Sequence, residues 1–154
     1  MFVRVNYKLY IGNPGGGCYT VCPVNITEPK DHWHDVLDYN YEQMFSFYDD
    51  PFMFLLPLLK KHFDKNISYE NIRDIYSKIE FDEYSDNLYT YDTWDKLLKD
   101  LNALKKNYPK LPDDREKFTY EQRHEYEFID LFTMTCKRIM REYPDADYIN
   151  VSGP

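Results

Sequence analysis

The stripe Trp94, Leu97, Leu98, Leu101, Leu104 and Tyr108 constrains this chain more than any other feature. These residues recur at intervals of three and four, with Lys96, Lys99, Lys105 and Lys106 opposite, so a helix gathers them on one face. An apolar helical face must be covered, so the chain has to build a second layer against it. Asp92 or Thr93 is the expected cap, and Pro109 the stop. A second stripe follows. Thr119 and Gln122 have the spacing of a capping box, opening a helix expected to run to about Glu142. Its apolar face is Phe128, Leu131, Phe132, Cys136, Ile139, Met140 and Tyr143, and Pro144 ends it.

The amino-terminal part keeps a different period. In Phe2–Ile11, Val5, Tyr7, Leu9 and Ile11 alternate with Arg4, Asn6, Lys8 and Tyr10, as in a strand with one buried face. The glycine-rich loop Gly12–Gly17 then leads into Cys18-Tyr19-Thr20-Val21-Cys22, which predicts a β-hairpin, and Pro23–Lys30 reads as an irregular exit. From His32 the spacing of Val36, Leu37, Tyr41, Met44, Phe45 and Tyr48 is helical. Asp50-Pro51 reads as the start of a very apolar helix, Phe52–Phe63, broken or kinked at Pro57. Behind Ser68, the residues Ile72, Ile75, Tyr76 and Ile79 form one face of a short helix. Leu88–Tyr91 and Tyr148-Ile149-Asn150-Val151 are short strands, the latter expected to pair with the amino-terminal hairpin. The fold class that follows is α+β: one helix-dominated domain over residues 1–154, with a small antiparallel sheet from an N-terminal β-hairpin and a C-terminal strand. A chain of 154 residues with 43% hydrophobic content can bury such a core without cross-links.

Cross-links are in any case disfavoured. Cys18 and Cys22 would lie on one side of a strand about 13 Å apart, beyond disulfide reach. With Cys136 inside a helical stripe, all three read as free structural thiols in a reducing compartment. The amino terminus lacks a signal-peptide core, and the longest apolar run, Pro51–Leu59, is half a bilayer span. A soluble cytoplasmic protein without membrane contact is expected.

Charge is distributed unevenly. Asp31–Leu59 and Ile79–Asp95 contain no lysine or arginine. The first window carries Asp31, Asp35, Asp38, Glu42, Asp49 and Asp50; the second carries Glu80, Asp82, Glu83, Asp86, Asp92 and Asp95. The rest of the chain is net positive, so these windows hold the whole excess behind the net charge of −8. A chain with pI near 4.9 is a poor direct ligand for nucleic acid, which is bound by displacing counterions with Lys and Arg. Tyr39, Tyr41, Tyr48, Tyr84, Tyr89 and Tyr91 stand among the acids. Tyr supplies rigid contact area at interfaces, and surrounding carboxylates steer a basic partner.

Motifs for chemistry are weak. The residue after the glycines is Cys18 rather than Lys-Ser/Thr, so a phosphate loop does not follow and a turn does. Asp31-His32-Trp33-His34-Asp35 is the most enzyme-like cluster: two imidazoles and two carboxylates suited to a metal or to general base catalysis. His62 and His124 have no companion spacing that would complete a ligand set, and no nucleophile elbow occurs. No stretch carries a family signature, and no cofactor is implied. The leading expectation is a non-enzymatic acidic binding or inhibitor protein that masks a basic, nucleic-acid-binding surface of a partner protein such as a nuclease. Toxin-immunity proteins and phage-encoded inhibitors of host defence enzymes are examples of this class. The expected partner-binding residues are Asp38, Tyr39, Tyr41, Glu42, Asp49, Asp50, Asp82, Glu83, Tyr84, Asp86, Tyr89 and Tyr91. One alternative is a small metal-assisted hydrolase or transferase using the Asp31–Asp35 cluster. Another is a structural or adaptor subunit, homo-oligomeric through Phe52–Leu59.

Overall fold

The computed structural model describes residues 6–27, 37–65, 67, 80–108 and 119–154. Its axis is β2 (Tyr19–Ile26), a strand whose first six residues are buried. Around it lie β1 (Tyr10–Ile11), β3 (Leu37–Tyr39), β4 (Phe45–Phe47), β5 (Asn87–Tyr89) and β6 (Tyr148–Ser152). The sheet order is β1-β4-β2-β6-β5, with β3 also paired to β2, and every pairing is antiparallel. The α+β class and the carboxy-terminal strand on β2 are as the sequence led us to expect.

β2 does not end at Pro23 in an irregular exit, and Pro23 accounts for the shape of its neighbour. In an antiparallel strand the N–H and C=O of one residue point to the same side. The Pro23 carbonyl accepts from the Asn40 N–H at 3.1 Å, so the edge where Pro23 has no N–H to offer faces Asn40. Here the partner splits: β3 pairs with Val24–Ile26, β4 with Tyr19–Val21, and a 3-10 turn (Tyr41–Gln43) separates them. The helix expected from residue 36 to residue 48 is therefore absent over Leu37–Tyr48. Two three-residue strands a short turn apart repeat at intervals that imitate helical spacing.

The two amino-terminal strands do not pair with each other. β1 pairs with β4 (Tyr10 with Ser46, Ile11 with Phe45), and β4 lies between β1 and β2. The glycine-rich loop has to cross two strand spacings, about 10 Å. Gly12, Gly15, Gly16 and Gly17 supply the positive φ values, 53° to 86°, that this path needs. The Gly12 N–H donates to the Met44 carbonyl at 2.7 Å, and the Ser46 hydroxyl donates to the Gly12 carbonyl at 2.6 Å, which anchors the loop on β4.

Among the described residues, three α-helices cover one face. In α1 (Asp49–Lys61), Tyr48 offers no side-chain cap, and Asp49 and Asp50 in the first turn complement the exposed N–H groups. Pro57 stays inside this helix instead of breaking it. The Met53 carbonyl it leaves unbonded lies on the solvent side, where Met53 and Pro57 are both exposed and water can satisfy it. α2 (Tyr91–Ala103) starts earlier than expected, because the Thr90 hydroxyl accepts the Thr93 N–H. Its buried residues are Trp94, Leu97, Leu98 and Leu101, and a 3-10 turn (Leu104–Asn107) follows. α3 (Tyr120–Glu142) opens with the expected Thr119–Gln122 capping box. Its buried side is turned slightly from expectation, including Ile129 and Thr133 while Leu131 is 38% exposed. The rings of Phe45 and Phe47 meet Phe128 and Phe132 edge-on and set that rotation.

Alternation gives the sheet two unequal faces. Tyr19, Val21, Phe45, Phe47, Tyr89, Ile149 and Val151 join the helices in the main core. Cys22, Val24, Leu37 and Leu88 form a smaller cluster with Ile67 on the other. Of the apolar run expected as an oligomer surface, Phe52, Leu55 and Leu59 are buried in the main core, while Met53 and Pro57 are exposed. The three cysteines are free and buried. Among the described residues no helix is long and apolar enough to cross a membrane. The Asp31–Asp35 cluster and the helix expected behind Ser68 lie outside the described residues.

Candidate interaction surface

The two windows without lysine or arginine meet at two places. At the first, Tyr39 of β3 donates its hydroxyl to Asp86 Oδ2 at 2.9 Å, and Asn150 of β6 donates Nδ2 to Asp86 Oδ1 at 2.7 Å. Asp86, of the second window, is thereby held between β3 of the first window and β6. Cys22 lies beside this clasp. Burial pushes its thiol up to about 12, with a smaller push from Asp38 and Asp86, so it is not a nucleophile at neutral pH. At the second place, Tyr19 leads β2 with its ring stacked on Phe52 at 3.7 Å. Burial pushes its hydroxyl up to about 12, reinforced by the charges of Glu83 and Asp49, one from each window.

The turn 82–87 carries the second window. Asp82 accepts the Tyr84 N–H at 3.0 Å and the Ser85 hydroxyl at 3.1 Å, which closes the turn. Asn87, fully buried, directs Nδ2 at the carbonyls of Asp82, Ser85 and Val151 and accepts the Asp82 N–H at 2.9 Å. The carboxy terminus locks the other side: a Cβ on Gly153 would lie 1.4 Å from the Glu83 carbonyl oxygen.

The residues expected to bind a partner divide accordingly. Asp38, Tyr41, Glu42, Asp49, Asp82 and Tyr84 are exposed, Tyr41 by 67% and Tyr84 by 76%. Glu83 is half-buried and raises the Tyr84 hydroxyl chiefly through a hydrogen bond. Tyr39 stacks on Tyr41 at 5.7 Å while bonding Asp86, so it supports the ring outside it. Asp50 accepts the Asn6 N–H at 2.7 Å and ties the chain before β1 to α1.

Two of the expected residues are corrected. Tyr89 is fully buried, T-shaped against Trp94, and donates to the Leu59 carbonyl at 2.7 Å, so it belongs to the core. It alternates with Leu88 on a strand covered on both faces, and its place among acids in the sequence reflects neighbours rather than exposure. Tyr91 is half-buried, donates to the Tyr143 carbonyl and has its hydroxyl pushed up to about 12 by burial, so it joins α2 to the end of α3.

Sequence reasoning did not single out Tyr19, Asn87 or Asn150. Tyr19 carried no local signal, since it stands outside both windows; Asn87, a polar residue leading an apolar triplet, carried a weak one. Among the described residues no group of three His, Cys, Asp or Glu side chains is placed to hold a metal ion. Comparison with protein-family models, with curated proteins and with solved structures finds no match.

Proposed function

We propose that this protein is a non-enzymatic acidic binding protein that covers a basic surface, of the kind used to hold nucleic acid, on a partner protein. One observation carries the reading: two sequence windows devoid of lysine and arginine are joined through Tyr39–Asp86 and around Tyr19, leaving Asp38, Tyr41, Asp49, Asp82, Glu83 and Tyr84 near those junctions, with Glu42 exposed beside Tyr41 in the chain. Charges fixed by the fold steer association without the entropic cost of ordering flexible side chains first. The exposed tyrosine rings supply contact area once the partner has docked. An inhibitor or immunity role is the natural use of such a surface, because a nuclease blocked at its basic groove cannot engage its substrate.

The test begins with capture of the partner from the native host at low ionic strength and continues with the purified pair. Asp38→Lys, Glu42→Lys and Glu83→Lys reverse charge within the two windows, and because Glu83 also bonds Tyr19 and Tyr84, circular dichroism and melting confirm the fold of the variant first. The association rate is expected to fall at least tenfold in the triple variant and to drop steeply with salt in the wild type. An association rate indifferent to both would end the proposal.

A further inference from the structure

A cleft lies apart from the exposed acids of the two windows, although Tyr48 of the first window lines it. It has a volume of about 760 Å³ and opens between the chain entering β1, the residue before α1 and the first turns of α3. Its walls are aromatic: Tyr7, Tyr10, Tyr48, Tyr120 and His124. Tyr10 and Tyr48 meet edge to face at 5.5 Å, Tyr7 and His124 stack at 6.0 Å, and Tyr120 meets His124 at 4.2 Å. Phe128 and Leu131 contribute apolar surface, Glu127 lines the cleft, and Lys8 is exposed at its rim. Tyr120 is 66% exposed, so one wall stands open to solvent.

Negative charge surrounds these rings. Glu125 accepts from the hydroxyls of both Tyr7 and Tyr108, and Asp50 is held beside the cleft by the Asn6 N–H. Glu125, Asp50 and Glu121 all act on the Tyr7 hydroxyl, which burial first and these charges next push up to about 12. π-faces inside an anionic field attract a cation, and a planar guanidinium gains both stacking and charge there. The volume exceeds what a lone ammonium group fills and suits a side chain with its flanking residues.

We infer that this aromatic cleft receives an arginine side chain from a basic polypeptide segment. The inference rests on the proposed function, since it supplies an anchor for the same kind of partner, but its site is separate from the exposed acids used to test that function. The probe is a labelled hexa-arginine peptide, with hexa-lysine alongside. Tyr120→Leu keeps apolar bulk and removes the π-face; Tyr120→Phe keeps the face. Tyr48→Leu repeats the test on the opposite wall, and far-ultraviolet circular dichroism confirms each fold. Hexa-arginine should bind more tightly than hexa-lysine, should weaken about fivefold or more in each leucine variant, and should be retained by Tyr120→Phe. Equal binding by leucine and phenylalanine variants, or no binding of hexa-arginine, overturns the cleft. Loss of binding only in Asp38→Lys/Glu42→Lys/Glu83→Lys also overturns the cleft while leaving the acidic-surface reading intact. Loss only in the tyrosine variants supports the cleft and removes Asp38, Glu42 and Glu83 from the contact.

Discussion

At the scale of single residues, the second acidic window is held by side chains that make no surface. Asn87 satisfies carbonyls from its own turn and from β6, so replacing it leaves buried groups unpaired. Asn87→Ala is expected to lower the unfolding free energy by about 2–4 kcal/mol, from an unfilled donor and acceptor set rather than one bond. Urea denaturation monitored by tryptophan fluorescence reads this directly. Gly153 gives the complementary case, a position with no room at all. Because backbone rather than a flexible side chain stands 1.4 Å from its missing Cβ, Gly153→Ala must displace either the 82–87 turn or the carboxy terminus. A lower melting temperature should result, with amide exchange accelerated at Ser85–Tyr89 before the rest of the sheet. Trp94 adds a feature of the core: its indole Nε1–H has no full hydrogen-bond partner among the described residues. Its interaction with the Cys136 thiol opposes in small part the burial that pushes that thiol up to about 12.

At the scale of elements, α1 combines a strong packing face with a weak backbone. Phe52, Leu55 and Leu59 face the core, while Pro57 interrupts the hydrogen-bond ladder on the solvent side. Pro57→Ala restores the bond to the Met53 carbonyl without touching the core, and is expected to raise stability by about 1–3 kcal/mol in chemical denaturation. α1 is also tied to α2 at its carboxy-terminal end. Lys61 and His62 both contact Asp100 Oδ2 at 2.7 Å, and these bonds, Lys61 first, hold the Asp100 carboxyl below its ordinary range. A carboxyl lowered in the folded state stabilises above its unfolded pKa and ceases to do so as pH falls through the folded value. Asp100→Asn should therefore melt below the wild type at neutral pH, and the gap should close in acid. A gap that persists at the lowest pH would assign the effect to packing instead of charge.

At the scale of the whole molecule, many tyrosine hydroxyls are tied into the fold, and this sets its alkaline limit. Tyr7, Tyr19 and Tyr91 are each raised from 10.0 to about 12, with burial as the first cause in all three. A group whose folded pKa is raised contributes its full stability below the unfolded value and loses it as pH rises through the folded one. Stability should hold up to about pH 10 and decline between about 10 and 12. The ultraviolet absorbance of tyrosinate from Tyr7, Tyr19 and Tyr91 should then appear only above the ordinary tyrosine range. Ionisation of all rings in one stage near the ordinary value would contradict this packing.

Much of this architecture was legible in the chain. The stripes of α2 and α3 and the capping box at Thr119 depend on neighbours three and four residues apart, and backbone hydrogen bonding within one segment makes such patterns readable. The shortest strands were harder: β3 and β4 are three residues long and acquire meaning only from the strand beside them. Pro23 shows why. Its missing N–H splits β3 from β4, a consequence visible only when Asn40 is placed against it. The candidate surface has the same character. The sequence alone established that two segments lack lysine and arginine, because charge is a property of each residue. Which acids and tyrosines face outward was decided by tertiary structure. Exposure depends on what packs across the sheet: Tyr89, surrounded by acids in sequence, was taken into the core by Trp94 and Leu59, and Tyr19, outside both windows, became one of the two places where they meet.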